Sequence, residues 1–178
     1  FYLIRRLSFY ELKSKNKNNY LGMSWEIINP SIQLLIYWFV FGTIRERAPI
    51  VMGDIEIPFF YWLLAGFFLW IFVYQSMIQG SKSIYTRLRM LSKMNFPMSV
   101  IPNFVIFSNF YIHLVLLSIS VLLLNISGFY ITIYYFQLLY FIFSTFCLVY
   151  SISLITSTIS TLIRDFHMFL NSVLRMLL

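Results

Sequence analysis

Charged positions are so sparse along this chain that they divide it into long apolar runs. Met94 to Ile163 is a stretch of 70 residues without a Lys, Arg, Asp or Glu. A bilayer core about 30 Å thick takes roughly 20 apolar residues per helix, so this stretch predicts two spans. The polar cluster Asn125-Ile126-Ser127-Gly128 near its middle is the expected break. Upstream, Trp25 to Ile44 carries only Glu26 near its start and Phe59 to Ile78 carries no charge, which predicts two further spans. The pattern therefore gives four membrane helices, at 25–44, 59–78, 100–124 and 136–161. Barrel strands would alternate apolar and polar residues, and these runs do not.

Two shorter segments carry a different period. Leu3, Ile4, Leu7 and Tyr10 fall on one side of a helix with Arg6 and Lys13 opposite, which predicts an amphipathic interface helix over residues 1–20. Glu11 falls on the apolar side and opposes that pattern. Between the second and third spans, Ile84, Leu88 and Leu91 recur at i, i+4 and i+7 beside Arg87 and Arg89. Two amphipathic faces at one membrane surface predict a docking platform; the competing reading is a pair of surface helices with ordinary topogenic cations.

Composition agrees with a membrane protein. Of the 178 residues, 60% are hydrophobic, 21% aromatic and 11% charged, which excludes an ordinary soluble domain. Cations then set the orientation, since positive residues in short loops stay on the cytoplasmic side. Arg5, Arg6, Lys13, Lys15, Lys17, Lys82, Arg87, Arg89, Lys93, Arg164 and Arg175 fall on one side and only Arg45 and Arg47 on the other, a split of eleven to two. The N-terminus is expected in the cytoplasm. Membrane lipids account for the net charge of +7 without any nucleic acid.

Candidate chemistry is thin. His113 and His167 are far apart, and neither has acids or cysteine at metal-ligand spacing beyond Asp165, so no metal and no catalytic group are expected. No phosphate-binding glycine loop is present. His113, inside the third span, is read as a neutral imidazole in a helix–helix contact. Cys147, inside the fourth, is read as a small buried hydrophobe. Ser153, Ser157 and Thr161 recur every fourth residue and predict close helix packing. The Asn125-Ile126-Ser127 sequon is read as a turn.

Four stretches carry a resemblance: "NYLGMSWEIINP" (Asn19 to Pro30), "FFYWLLAG" (Phe59 to Gly66), "SKMNFP" (Ser92 to Pro97) and "LIRDFHMFLNSVLRMLL" (Leu162 to Leu178). The first resembles the start of permease subunits of type 2 ABC exporters for cell-surface polysaccharides. The set is most similar to the teichoic acid export permeases of Gram-positive bacteria. The resemblance implies an all-α integral membrane fold of six helices, of which four are present here. It also implies an interface helix before them and a coupling helix and loop at 82–97 that enters a cleft of an ATPase. Implied partners are two copies of a cytoplasmic ABC ATPase, a second copy of this chain and a lipid-linked anionic polysaccharide. ATP and Mg would sit on the ATPase, with no cofactor in this chain. The implied localisation is the bacterial cytoplasmic membrane.

On that basis Ile84, Arg87, Leu88, Arg89, Leu91, Lys93, Asn95 and Pro97 are the expected ATPase-coupling residues. Proline removes a backbone donor and restricts the residue before it, so Pro97 would end the coupling helix and turn the chain back into lipid. Tyr37 and Trp38, deep in the first span, are the expected substrate-path residues, whereas Trp25, Phe59, Tyr61 and Trp62 near span ends suit an interfacial belt. The chain begins without Met and stops as an apolar run starts, so a missing C-terminal part is expected. Export permeases for O-antigen or capsule are the nearest alternative. A membrane-embedded enzyme acting on lipid-linked sugars is a more distant one, because Glu46, Asp54 and Glu56 are too few to form its site.

Overall fold

A computed structural model describes residues 2–17, 19–44, 49–52, 55–88, 98 and 100–177. Six α-helices are present among them: α1 (Tyr2–Lys15), α2 (Trp25–Trp38), α3 (Phe59–Lys82), α4 (Val100–Ile126), α5 (Tyr135–Leu162) and α6 (Asp165–Met176). Four segments are long and apolar enough to cross a membrane: Gly22–Ile44, Phe59–Lys82, Val100–Ile126 and Tyr135–Leu162. The chain is therefore an all-α multi-pass membrane protein, with one small hairpin. Its strands, β1 (Ile50–Met52) and β2 (Ile55–Ile57), pair antiparallel with Ile50 opposite Ile57 and Met52 opposite Ile55.

Helix α3 is the centre, with α4 and α5 on its flanks and α2 packed less extensively against it. One cluster joins Leu34 of α2, Leu64, Phe67, Phe68 and Ile71 of α3, and Leu116 of α4. A second joins Phe72 of α3, Ile106 of α4 and Val149 of α5. Most of the surface remains apolar, and α5 exposes Phe136, Tyr140, Phe143, Leu148 and Ile155 along its length. In a bilayer such a face meets lipid at no cost, which is why α3, α4 and α5 carry little amphipathic signal.

Besides the Phe72–Val149 cluster, the α3–α5 contact uses small residues. Ser76 and Gly80 of α3 and Ser153, Thr156, Ser157 and Ser160 of α5 are buried, and Gly80 lies against Ser153. Ser153 and Ser157 lie in this seam as the every-fourth-residue pattern predicts, but Thr161 is only half-buried and Thr156 and Ser160 complete it. An α-helix needs 3.6 residues per turn, so a stripe spaced strictly by four drifts off the contact and one spaced by three and four stays on it.

Chain breaks have local causes. At the end of α4, the Phe129 amide donates to the Leu124 carbonyl at 3.0 Å and the Gly128 amide to Asn125 at 3.1 Å. Gly128 takes φ +92°. This double bond with a left-handed residue is a Schellman stop, open to glycine because it has no Cβ. The Asn125 side chain is used in the same helix end, donating to the Val121 carbonyl at 2.8 Å. At the end of α2 the helix widens into a π-type segment, Phe39–Ile44. Cys147 lies on the exposed face of α5. That corrects its reading as buried: in a lipid-facing helix a small apolar residue gains nothing by facing inward.

Candidate functional site at the α1 end of the bundle

Helix α1 lies along the beginning of α4. Ile4 and Leu7 pack on Ile101, Phe104 and Val105, and Ser8 and Leu12 are buried beside them. Leu3 and Tyr10, expected on the same face, are 53% exposed each. The inward stripe is thus Ile4, Leu7, Ser8, Glu11, Leu12 and Lys15, rotated from the expected one toward residues that read as polar. Three of those find partners. Ser8 Oγ donates to the Ile4 carbonyl at 2.8 Å. The Arg87 guanidinium donates to Glu11 Oε1 at 2.5 Å. The Lys15 ammonium donates to Gln79 Oε1 and, at 3.3 Å, to Asn109 Oδ1. The next polar residue, Asn16, donates to Glu26 Oε1 at 2.9 Å, tying the end of α1 to the start of α2.

Arg87 is the hub of this end. It sits in a single 3-10 turn, Tyr85–Arg87, after α3. Besides Glu11, it donates to the Ser83 carbonyl at 3.1 Å and places its guanidinium 5.4 Å from the centre of the Phe104 ring. One side chain therefore touches α1, the α3 exit and α4. Ile84 is buried and Leu88 half-buried. Arg89, Leu91, Lys93, Asn95 and Pro97 lie outside the described residues.

Charge around Lys15 is unbalanced. Burial pushes its ammonium below the ordinary range; the charges of Glu26 and Glu11 act against this, and those of Arg87 and Lys82 add to it. Nearby, the Ser81 hydroxyl and His167 Nδ1 are 3.0 Å apart, and Tyr74 Oη donates to Asn171 Oδ1 at 2.9 Å. These bonds dock α6 antiparallel on α3, so the chain re-enters the bundle after Arg164. Burial and then the charge of Lys82 lower the His167 imidazole.

The expected substrate-path rings lie elsewhere. Tyr37 is half-buried between Phe41 and Phe67, with ring centres 6.0 and 5.3 Å away. Trp38 is 39% exposed and meets Phe60 edge-on at 5.6 Å. It borders a cavity of about 620 Å³ shared with Gly42, Glu56 and Phe59, at the far end of the bundle from α1. His113 stacks on Phe72 at 4.7 Å, interacts with the Phe68 backbone, and faces a largely apolar cavity of about 480 Å³ between α3, α4 and α5. Two features escaped the pattern reading. The hairpin was signalled by "IVM" and "IEI" separated by two residues, Gly-Asp. Glu11 had no local signal, since its partner is 76 positions away.

Over 100 residues the chain is 31% identical to the O-antigen export system permease protein RfbA of Myxococcus xanthus, covering 56% of this chain and 35% of that protein. A protein of the same name from Klebsiella pneumoniae is 29% identical over 93 residues, 52% of this chain and 33% of its own length. A second from that organism matches to the same extent. The chain spans about a third of the length of the curated relatives it matches. No protein-family model matches it.

Proposed function

We propose that this chain forms part of the permease of an ATP-driven exporter that moves a lipid-linked glycan out across the cytoplasmic membrane. The similarity over more than half of the chain to O-antigen export permeases carries the reading, and four helices long enough to span a bilayer fit it. The relatives favour an O-antigen-type polysaccharide over teichoic acid as cargo; the teichoic acid reading has only short motifs such as "SKMNFP" behind it. The eleven-to-two cation split supports a cytoplasmic N-terminus and, with it, an ATPase-facing role for the α1 end with Arg87 and Leu88.

In this reading the chain supplies no hydrolytic chemistry. Two ATPase copies and a second permease would complete the transporter, and the turn after α3 would meet the ATPase. Leu88, half-buried at that turn, is the anchor to test, because truncating a packed interface residue commonly costs about 2 kcal/mol or more. The protein is co-expressed with the polysaccharide-export ABC ATPases of its own organism, and the complex is reconstituted with a lipid-linked polysaccharide. Wild type should co-purify with the ATPase and move the glycan in an ATP-dependent way. Leu88→Asp should lose the ATPase while remaining membrane-inserted. A chain that binds no ATPase, or a Leu88→Asp variant that assembles and transports normally, refutes the proposal.

A further inference from the structure

Between α1, the end of α3 and the turn that follows lies a pocket of about 340 Å³ lined by Glu11, Lys15, Gln79, Lys82, Thr86 and Arg87. Three of these residues are cationic and one is anionic, so the lining carries +3 − 1 = +2. The single carboxylate is already engaged by Arg87 at 2.5 Å. Lys15 is bonded only to neutral amide oxygens, those of Gln79 and Asn109, among the described residues. Lys82 is exposed at the rim.

Burial makes the Lys15 charge costly, the charges of Glu26 and Glu11 offset that only in part, and Lys82 and Arg87 at the same cavity repel it. The arrangement is stabilised when an anion enters. We propose that this pocket binds the phosphate group of an anionic bilayer lipid. Phosphate fits better than a carboxylate, because three cations converge from three separate elements and a tetrahedral anion offers oxygens in several directions. A lipid fits better than a free ion because of where the pocket sits. It opens at the end of a spanning helix, beside a helix that exposes Tyr2, Leu3, Phe9 and Tyr10, so its depth is that of the headgroups. Basic pockets between membrane helices take anionic headgroups in this way. The Lys15 ammonium, held below its ordinary range chiefly by burial, would be returned toward it by the same ligand. The inference rests on the chain spanning a membrane and is independent of what the chain exports.

The test uses the intact protein in nanodiscs of phosphatidylcholine, with or without phosphatidylglycerol, and counts retained lipid by native mass spectrometry after transfer to detergent. Wild type should retain phosphatidylglycerol. Lys82→Gln, exposed and safe for folding, should bind it about tenfold more weakly, the effect of losing one charge-assisted hydrogen bond. Lys15→Gln should do likewise, and Lys17→Gln, an exposed cation outside the pocket, should bind like wild type. No retention, or equal loss in Lys82→Gln and Lys17→Gln, overturns the site. If inorganic phosphate raises the melting midpoint in phosphatidylcholine discs as much as phosphatidylglycerol does, the lipid source is overturned. An ATPase that fails to bind would refute the transport reading and leave these measurements untouched.

Discussion

The seam between α3 and α5 gives the sharpest energetic prediction, because one glycine sets how closely the two helices approach. An alanine at position 80 would put its Cβ 1.7 Å from Ser153 Oγ and 3.0 Å from Ser153 Cβ. The Ser153 hydroxyl has no hydrogen-bond partner in the described structure, so it can rotate away and the shorter contact is relieved cheaply. The carbon–carbon contact has no such exit, since comfortable separation is about 3.5–4.0 Å. The helices must part by about half an ångström, which loosens the whole seam from Ser76 to Ser83. Overpacking of this kind costs about 1–3 kcal/mol. The higher helix propensity of alanine offsets up to about 1 kcal/mol of that, so a net loss of about 1–2 kcal/mol is expected for Gly80→Ala. Ser153→Gly in the same molecule removes the opposing Cβ and should restore most of it, whereas Ser153→Ala should restore only the part due to the hydroxyl. The assay is unfolding of the micelle-bound protein by sodium dodecyl sulfate, followed by circular dichroism, for wild type, the single variants and the pairs. A Gly80→Ala variant as stable as wild type, or one that Ser153→Gly does not rescue, refutes the close-approach argument.

Two further outcomes follow from the α1 end. Glu11→Arg should destabilise by about 1 kcal/mol, and adding Arg87→Glu should recover part of it. The pair is partly exposed, at 25% and 19%, so its contribution stays near the modest value of surface ion pairs and shrinks with salt; a cycle showing no coupling refutes the clasp. Topology is checked in a Cys147→Ser background: cysteines at Lys15 and Arg164 should be shielded from an impermeant thiol reagent in intact cells and one at Glu56 should react. Labelling at Lys15 from outside reverses the orientation.

The spans were legible because a bilayer forces every backbone polar group into internal bonds, so length and apolarity suffice to locate a helix. The break at Asn125 to Gly128 was legible because glycine is the residue a left-handed stop requires. Faces were not. A lipid-exposed apolar residue and a core apolar residue look alike in sequence, so Leu3 and Tyr10 read as one face with Ile4 and Leu7, and Cys147 read as buried. In membrane helices the inward face is marked instead by small and polar residues, which is why Ser153, Ser157 and Ser160 locate the α3 contact better than the leucines do.

Glu11 makes the same point from the other side, and it changes what α1 is. As an isolated amphipathic helix, α1 is spoiled by an acid on its apolar face; paired with Arg87 at 2.5 Å, that acid adds a tie to the apolar packing of Ile4 and Leu7. Arg87 in turn reaches the Ser83 carbonyl and the Phe104 ring, and Lys15 reaches Gln79 and Asn109. Helix α1 is therefore fixed to the exit of α3 and to α4 by charged groups at Glu11 and Lys15, one helical turn apart. A displacement of the turn at Tyr85–Arg87 cannot occur without moving α1 or breaking the Glu11 contact, and the modest strength of a partly exposed pair makes breaking it feasible. A stronger, fully buried pair would lock the same elements together. The clasp thus holds the turn against α1 without locking it there.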